Sequence, residues 1–262
     1  MKRFVGFCVP VILLALLGIQ ALGCSDSRVG FISNTSSSTL PALAAQHNER
    51  GIDLAQNGQY EQAISEFNEA VELAPKAALL YYNRGMTYDY MKDYDMAIAD
   101  YTKAIELDPE YALAYYKRGT DYREKKDYDK ALVDYDKAIE LNPNYAKSYA
   151  DRGDTCYFKE DYDGAIADYT RAVELDSEYA YAYYCRGVIY NIKKDYDSAL
   201  ADYNKAIELH STYAWAYYNR GLMLETMGKK AEAIADFEKC IEVSQDKPPA
   251  DNARDELKKL RP

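Results

Sequence analysis

The same 34-residue pattern occurs six times in succession, starting at Ala44, Ala78, Ala112, Ala146, Ala180 and Ala214. A fixed period of that length restricts the chain to stacked supersecondary units, each too small to bury its own apolar side. Counting from each starting alanine, position 8 is glycine in every copy, from Gly51 through Gly221, and position 20 is alanine, from Ala63 through Ala233. Position 24 is always aromatic: Phe67, Tyr101, Tyr135, Tyr169, Tyr203 and Phe237. Position 4 is tyrosine except in the first copy, which has His47, and position 32 is proline in the first three, at Pro75, Pro109 and Pro143.

Positions 4, 8 and 11 share one face of a helix, and positions 17, 20, 21, 24, 27 and 28 share one face of another. Each unit is therefore expected to be two helices of about 14 residues, an ordinary length. A glycine inside a helix costs roughly 1 kcal/mol relative to alanine. Six of them at one spacing imply that a neighbouring element approaches closely there. Asp93-Tyr94-Asp95 and its three later equivalents put acids at the start of the second helix, where exposed N–H groups and the helix dipole favour them. The Asp-Pro or Asn-Pro at positions 31–32 ends that helix.

This combination of aromatic, glycine and alanine positions resembles the tetratricopeptide repeat, over residues 44–247. The resemblance implies an all-α, right-handed α-solenoid of six helix-turn-helix units (44–77, 78–111, 112–145, 146–179, 180–213, 214–247), with first helices lining an inner groove. Residues 248–262 are expected to add a capping helix, from Ala253, Leu257 and Leu260 at helical spacing. One departure is uniform: position 7, usually leucine in the family, is arginine in all six copies. Position 23 is acidic in all six. Two antiparallel helices put these positions at similar heights, so the expectation is a ladder of structural ion pairs. Its members are Arg84 with Asp100, Arg118 with Asp134, Arg152 with Asp168, and Arg186 with Asp202, with Arg50–Glu66 and Arg220–Asp236 at the ends.

The front of the chain reads differently. Residues 1–23 have the pattern of an export signal, with Lys2 and Arg3 before an apolar run from Phe4 to Leu17. Ala21-Leu22-Gly23-Cys24 resembles a bacterial lipoprotein signal, which would make Cys24 the lipidation site; an uncleaved anchor helix is the alternative. Residues 24–43 are expected to form a flexible tether rich in Ser, Thr and Asn. These features together point to an exported protein held in the bacterial cell envelope, contacting membrane through its lipid alone.

The net charge is −11, and removing Lys2 and Arg3 with the first 23 residues makes it −13. That disfavours nucleic acid, which needs clustered cations. With two histidines and no phosphate loop, nucleophile elbow or metal-ligand spacing, no catalytic residue, metal or cofactor is expected. Counted from Asp93, a calcium loop would need Gly and Glu where Ile98 and Ala104 stand. Cys156, Cys185 and Cys240 occupy repeat positions and are expected to remain thiols.

Binding is the function that the resemblance implies. Family positions 2, 5, 9, 12 and 13 face the groove. An aromatic set for a protein or peptide partner then comprises Tyr82, Tyr90, Tyr116, Phe158, Tyr181, Tyr184, Trp215 and Tyr218. No three consecutive copies carry the Lys and Asn set of the family's carboxylate clamp: Lys147 is present, but Tyr82, Met86, Lys117 and Asp151 hold the other places. The architecture resembles tetratricopeptide lipoproteins that assist envelope assembly, such as pilotins. The alternatives are a scaffold for an envelope enzyme or a structural spacer.

Overall fold

A computed structural model describes residues 31, 40–244 and 248–261. The signal, the Cys24 lipidation site and most of the tether lie outside them. Thirteen helices and no strand occur among the described residues. Ten of them follow the repeat closely: α3 (Ala78–Tyr90), α4 (Tyr94–Leu107), α5 (Ala112–Glu124), α6 (Tyr128–Leu141), α7 (Ala146–Phe158), α8 (Tyr162–Leu175), α9 (Ala180–Ile192), α10 (Tyr196–Leu209), α11 (Ala214–Thr226) and α12 (Lys230–Ser244). They are preceded by α1 (Ala42–Gln56) and α2 (Tyr60–Leu73) and followed by α13 (Ala250–Leu260). The chain is all-α, a succession of antiparallel hairpins.

Two compact units divide it after Lys159, between α7 and α8. In the first unit α1 to α7 pack each on its predecessor, and successive first helices α1, α3, α5 and α7 also touch. In the second, α8 to α12 do the same, and α13 lies against α12 with Ala250, Ala253 and Leu257 buried. No described helix is long and apolar enough to cross a membrane.

The hairpin is built from its small residues outward. Alanine at position 20 is fully buried in every copy, and the ring at position 24 lies over the glycine at position 8 at Gly51, Gly85, Gly119, Gly187 and Gly221. At Gly51 a Cβ would come within 2.7 Å of the buried Phe67 ring, which leaves room only for hydrogen. The close approach inferred from the glycines is thus an aromatic ring meeting bare backbone. It offsets the helix-propensity cost by burying a large apolar surface.

The turn follows a fixed recipe. The first helix ends on a residue in the left-handed region at position 15: Lys92, Lys126, Glu160 and Lys194 have φ of 61–63°, and Gly58 and Gly228 have 76° and 78°. The next residue, Asp93, Asp127, Asp161 or Asp195, caps the second helix by accepting a backbone N–H three residues on, at 3.0–3.4 Å. In three of the four Asp-Tyr-Asp motifs the second acid acts elsewhere. Asp95, Asp129 and Asp163 pair with Lys125, Lys159 and Lys193, at the end of the following repeat's first helix. One motif therefore starts its own helix and fastens the neighbouring hairpin.

Two sequence expectations are revised at the front. The first helix begins at Ala42 rather than Ala44, since Pro41 supplies the carbonyl that accepts the N–H of Ala45. Within the stretch read as a tether, Phe31 is half-buried, with its ring stacked on Phe67 at 6.3 Å.

A non-glycine residue in the left-handed region costs about 1–2 kcal/mol, part of which glycine gives back through its freer unfolded chain. Lys126→Gly is therefore expected to raise stability by about 0.5–1 kcal/mol, read as a higher urea midpoint.

Candidate functional site: a polar seam with aromatic shelves

Position 7 carries the most repeated polar contact. Arg84 donates to Asp100 through Nε at 2.8 Å and Nη2 at 2.7 Å, and Arg118 reaches Asp134 the same way at 2.8 Å twice. Arg186 with Asp202 and Arg220 with Asp236 repeat the fork at 2.6–2.8 Å. Arg50 with Glu66 is looser, at 3.3 Å. Arg152 and Asp168 fall in different units.

The remaining guanidinium nitrogen turns to the previous hairpin. It meets Asn68 from Arg84, Thr102 from Arg118, Asp136 from Arg152, Thr170 from Arg186 and Asn204 from Arg220. Each contact lies 16 residues back, as each acid lies 16 residues ahead. The guanidinium also sits 5.5–5.7 Å from the centre of the tyrosine ring at position 4 in five copies, including Tyr81 and Tyr217. These arginines are therefore fasteners between hairpins, committed on all sides.

A second seam joins the first helices. Position 5 of one copy bonds position 6 of the next: Asn83 donates to Asn48 at 2.9 Å, Tyr116 to Asp151 at 2.5 Å, and Asn219 to the Tyr184 hydroxyl at 2.8 Å. Beyond the Asn83–Asn48 pair, the seam in the first unit becomes charged. Arg123 Nη1 bonds Asp151 at 3.2 Å and Asp154 at 3.1 Å, all three being buried. Lys117 lies 3.6 Å from Asp89. Asp121 is fully buried and neither of its oxygens receives a donor. Burial, reinforced by the Asp89 carboxylate and opposed by Lys117, pushes its carboxyl up to about 9. Folding therefore favours its protonated, neutral form.

The groove set of aromatics separates into two kinds. Tyr82, Tyr116, Tyr184, Trp215 and Tyr218 are all buried, so the surface role expected for them is corrected. Their partners explain why. Tyr82 is wedged between Tyr101 at 5.7 Å and Tyr111 at 5.0 Å. Tyr116 lies between Tyr135 and Tyr145, and Tyr184 between Tyr203 and Tyr213. Trp215 meets Tyr218 edge-on at 5.8 Å, and Tyr218 packs on Phe237. The tyrosine at position 34 closes over position 5 within the same copy; its recurrence at Tyr111, Tyr145 and Tyr213 was the available signal.

Tyr90, Phe158 and Tyr181 keep accessible surface, and Tyr90 is 46% exposed. Two of them form shelves with the tyrosine at position 17 of the preceding copy. Tyr90 stacks on Tyr60 at 6.1 Å and 8°, and Phe158 stacks on Tyr128 at 5.5 Å and 4°. Both shelves belong to the first unit. Tyr181 lies 6.0 Å from Tyr179 in the second. Among the described residues no group of three or more His, Cys, Asp or Glu is placed to hold a metal ion.

Paired helices in regular succession, joined by polar seams and offering accessible aromatic shelves, define a helical-repeat interaction protein. Models of the tetratricopeptide repeat match residues 78–111, 112–145 and 214–247, and related TPR repeat models match 51–89, 153–191 and 187–228. The chain belongs to the tetratricopeptide repeat family, whose domains serve protein interaction.

Among solved structures it is similar to MamA, at 28% identity and a TM-score of 0.59, over 62% of this chain and 94% of that one. It is likewise similar to YrrB, described as a TPR protein with an unusual peptide-binding site, at 26% identity and a TM-score of 0.60, over 72% and 97%. The pilF protein of Pseudomonas aeruginosa shares the fold at 15% identity and a TM-score of 0.71, over 82% and 97%. No curated protein sequence matches at a significant level.

Removing one member of a buried ion pair leaves the other charged and unpartnered. Arg118→Ala is expected to cost about 2–4 kcal/mol, and adding Asp134→Asn should recover part of it. Asp121 gives a pH dependence. A carboxyl raised from 3.8 to about 9 by folding favours the fold fully below its ordinary range. That contribution is lost as pH climbs toward 9. The groups set against it are Asp89, Lys117 and Glu124, with Tyr94 and Tyr101 also within its field. Asp121→Asn, which copies the neutral acid, should flatten the fall in urea midpoint between pH 5 and pH 8.

Proposed function

We propose that this chain is a non-catalytic scaffold that holds a peptide or protein partner on the face built by its first helices, and that Cys24 carries a lipid that tethers it to a bacterial envelope membrane. The observation that carries the binding half is the pair of stacked shelves, Tyr60–Tyr90 and Tyr128–Phe158, beside the charged seam of Asp89, Lys117 and Arg123. Rigid aromatic surfaces lose little conformational entropy when a guest settles on them. The peptide-binding description of YrrB, which shares 26% identity with this chain, favours the same class of partner.

The envelope half rests on Lys2, Arg3, the apolar run to Leu17, and Cys24 after Gly23. An assembly-assisting role at the envelope fits a tethered module of this kind, because one lipid plus one binding face brings a client to a membrane without catalysis.

Both halves are testable in cells. The mature protein should lack residues 1–23 and carry a lipid on Cys24 by mass spectrometry, and Cys24→Ser should release it from the membrane fraction. Crosslinked partner should fall roughly tenfold with Tyr90→Ala or Phe158→Ala while helix content by circular dichroism holds. Unchanged crosslinking in both variants would remove the shelves from the binding face.

A further inference from the structure

We infer that the Tyr60–Tyr90 shelf is a receptor for a single aromatic side chain on a linear segment, and that Phe31 of the same chain is its resident occupant. A partner's aromatic residue must displace Phe31 to bind there. This rests on the binding reading above and says what chemistry the partner brings.

Phe31 lies outside the repeats, ten residues ahead of α1. Nothing in the 34-residue pattern calls for it, yet its ring is half-buried against two hairpins at once. On one side it meets the cluster of Ile52, Ala55, Ala63 and Phe67 from the first hairpin, with its plane 13° from that of Phe67. On the other it meets the Tyr82 and Met86 cluster of the second. Its ring centre is 5.8 Å from that of Tyr90, whose far neighbour is Tyr60. Four rings therefore run in contact: Phe67, Phe31, Tyr90 and Tyr60. Three belong to the repeats and one is delivered from outside.

The contact is strong enough to matter and weak enough to exchange. Burial and stacking of a phenylalanine ring hold it in place without any polar anchor. Among the described residues no hydrogen bond holds Phe31. A short connection to α1 keeps the ring at an effective concentration on the order of millimolar. A competitor must overcome that concentration, so self-occupancy sets an affinity threshold for partners.

The probe is a fluorescein-labelled peptide of residues 25–41, added to the full chain and followed by anisotropy. Phe31→Ala in the chain empties the shelf, so that variant should bind the peptide at least tenfold more tightly than the unsubstituted chain. A peptide with Phe31→Ala should bind at least tenfold more weakly, as should a Phe31→Ala, Tyr90→Ala chain, whereas Phe31→Ala, Phe158→Ala should not differ from Phe31→Ala alone. Equal binding by the unsubstituted and Phe31→Ala chains overturns the resident-occupant assignment, as does a dimer in sedimentation that Phe31→Ala dissociates. Loss through Phe158→Ala rather than Tyr90→Ala overturns the site. Any of these results leaves partner crosslinking through the shelves to stand or fall separately. Circular dichroism checks that each variant keeps its helices.

Discussion

The arginine at position 7 is held by two hairpins at once, and the regular succession of the helices depends on that hold. Its acid lies 16 residues ahead in its own hairpin, and its second partner lies 16 residues behind in the previous one. Moving one hairpin by a helical turn would separate the guanidinium from one of the two. The pair is not an obvious source of net stability. Burial pushes the Asp100 carboxyl up even though Arg84 pulls it back, so desolvation consumes much of the attraction. What the fork supplies is geometry. Five donors in a plane can satisfy a bidentate carboxylate and a neighbour's oxygen together, which lysine cannot do. A leucine at that position would bury as well, but it would slide.

The polar seam along the first helices makes a similar trade with more tension. In the third and fourth copies, positions 9 and 10 hold Thr120, Asp121, Asp154 and Thr155, all part-buried or buried; the second copy has Met86 and Thr87, and the fifth and sixth have Val188, Ile189, Leu222 and Met223. The apolar version packs without conditions. The charged version requires Arg123 between two aspartates and leaves Asp121 as a neutral acid beside Asp89. A fold that only needed to stack would use the apolar choice throughout. The accessible stacked shelves Tyr60–Tyr90 and Tyr128–Phe158 lie in that same charged unit.

The period, the helix pairs, the Asp caps and the terminal helix were all legible in the residues. Each depends on spacing within about one turn or on a motif repeated in place. The ring over Gly51 was legible in outline, because a helical glycine repeated six times needs a close neighbour to justify it. The fate of position 5 was not. Helical periodicity names a face, but it does not say how deep that face lies. Tyr82 and Tyr116 are buried by Tyr111 and Tyr145, 29 residues later, across the whole length of a second helix. The charged seam was equally hidden. Arg123 finds Asp151 and Asp154 in the next copy, at separations of 28 and 31 that follow no helical period.

Stacked repeats have a limitation that bears on recognition. Every unit spends its best apolar surface on its neighbours, so little is left to offer a guest. Here position 5 and position 24 tyrosines are consumed in this way, five of them completely buried. Part of the aromatic surface that remains is at position 13, the last turn of the first helix, where Tyr90 and Phe158 meet the preceding copy's second helix. Only an aromatic at position 17 of that preceding copy can support a ring there, and the coincidence occurs at Tyr60–Tyr90 and Tyr128–Phe158 but not where Glu124 follows Tyr94. The stacked aromatic shelves proposed to hold a partner are thereby discrete and separated by two repeats. A guest that engages both must carry its aromatic groups at a matching distance, a demand on spacing that a continuous apolar groove would not make.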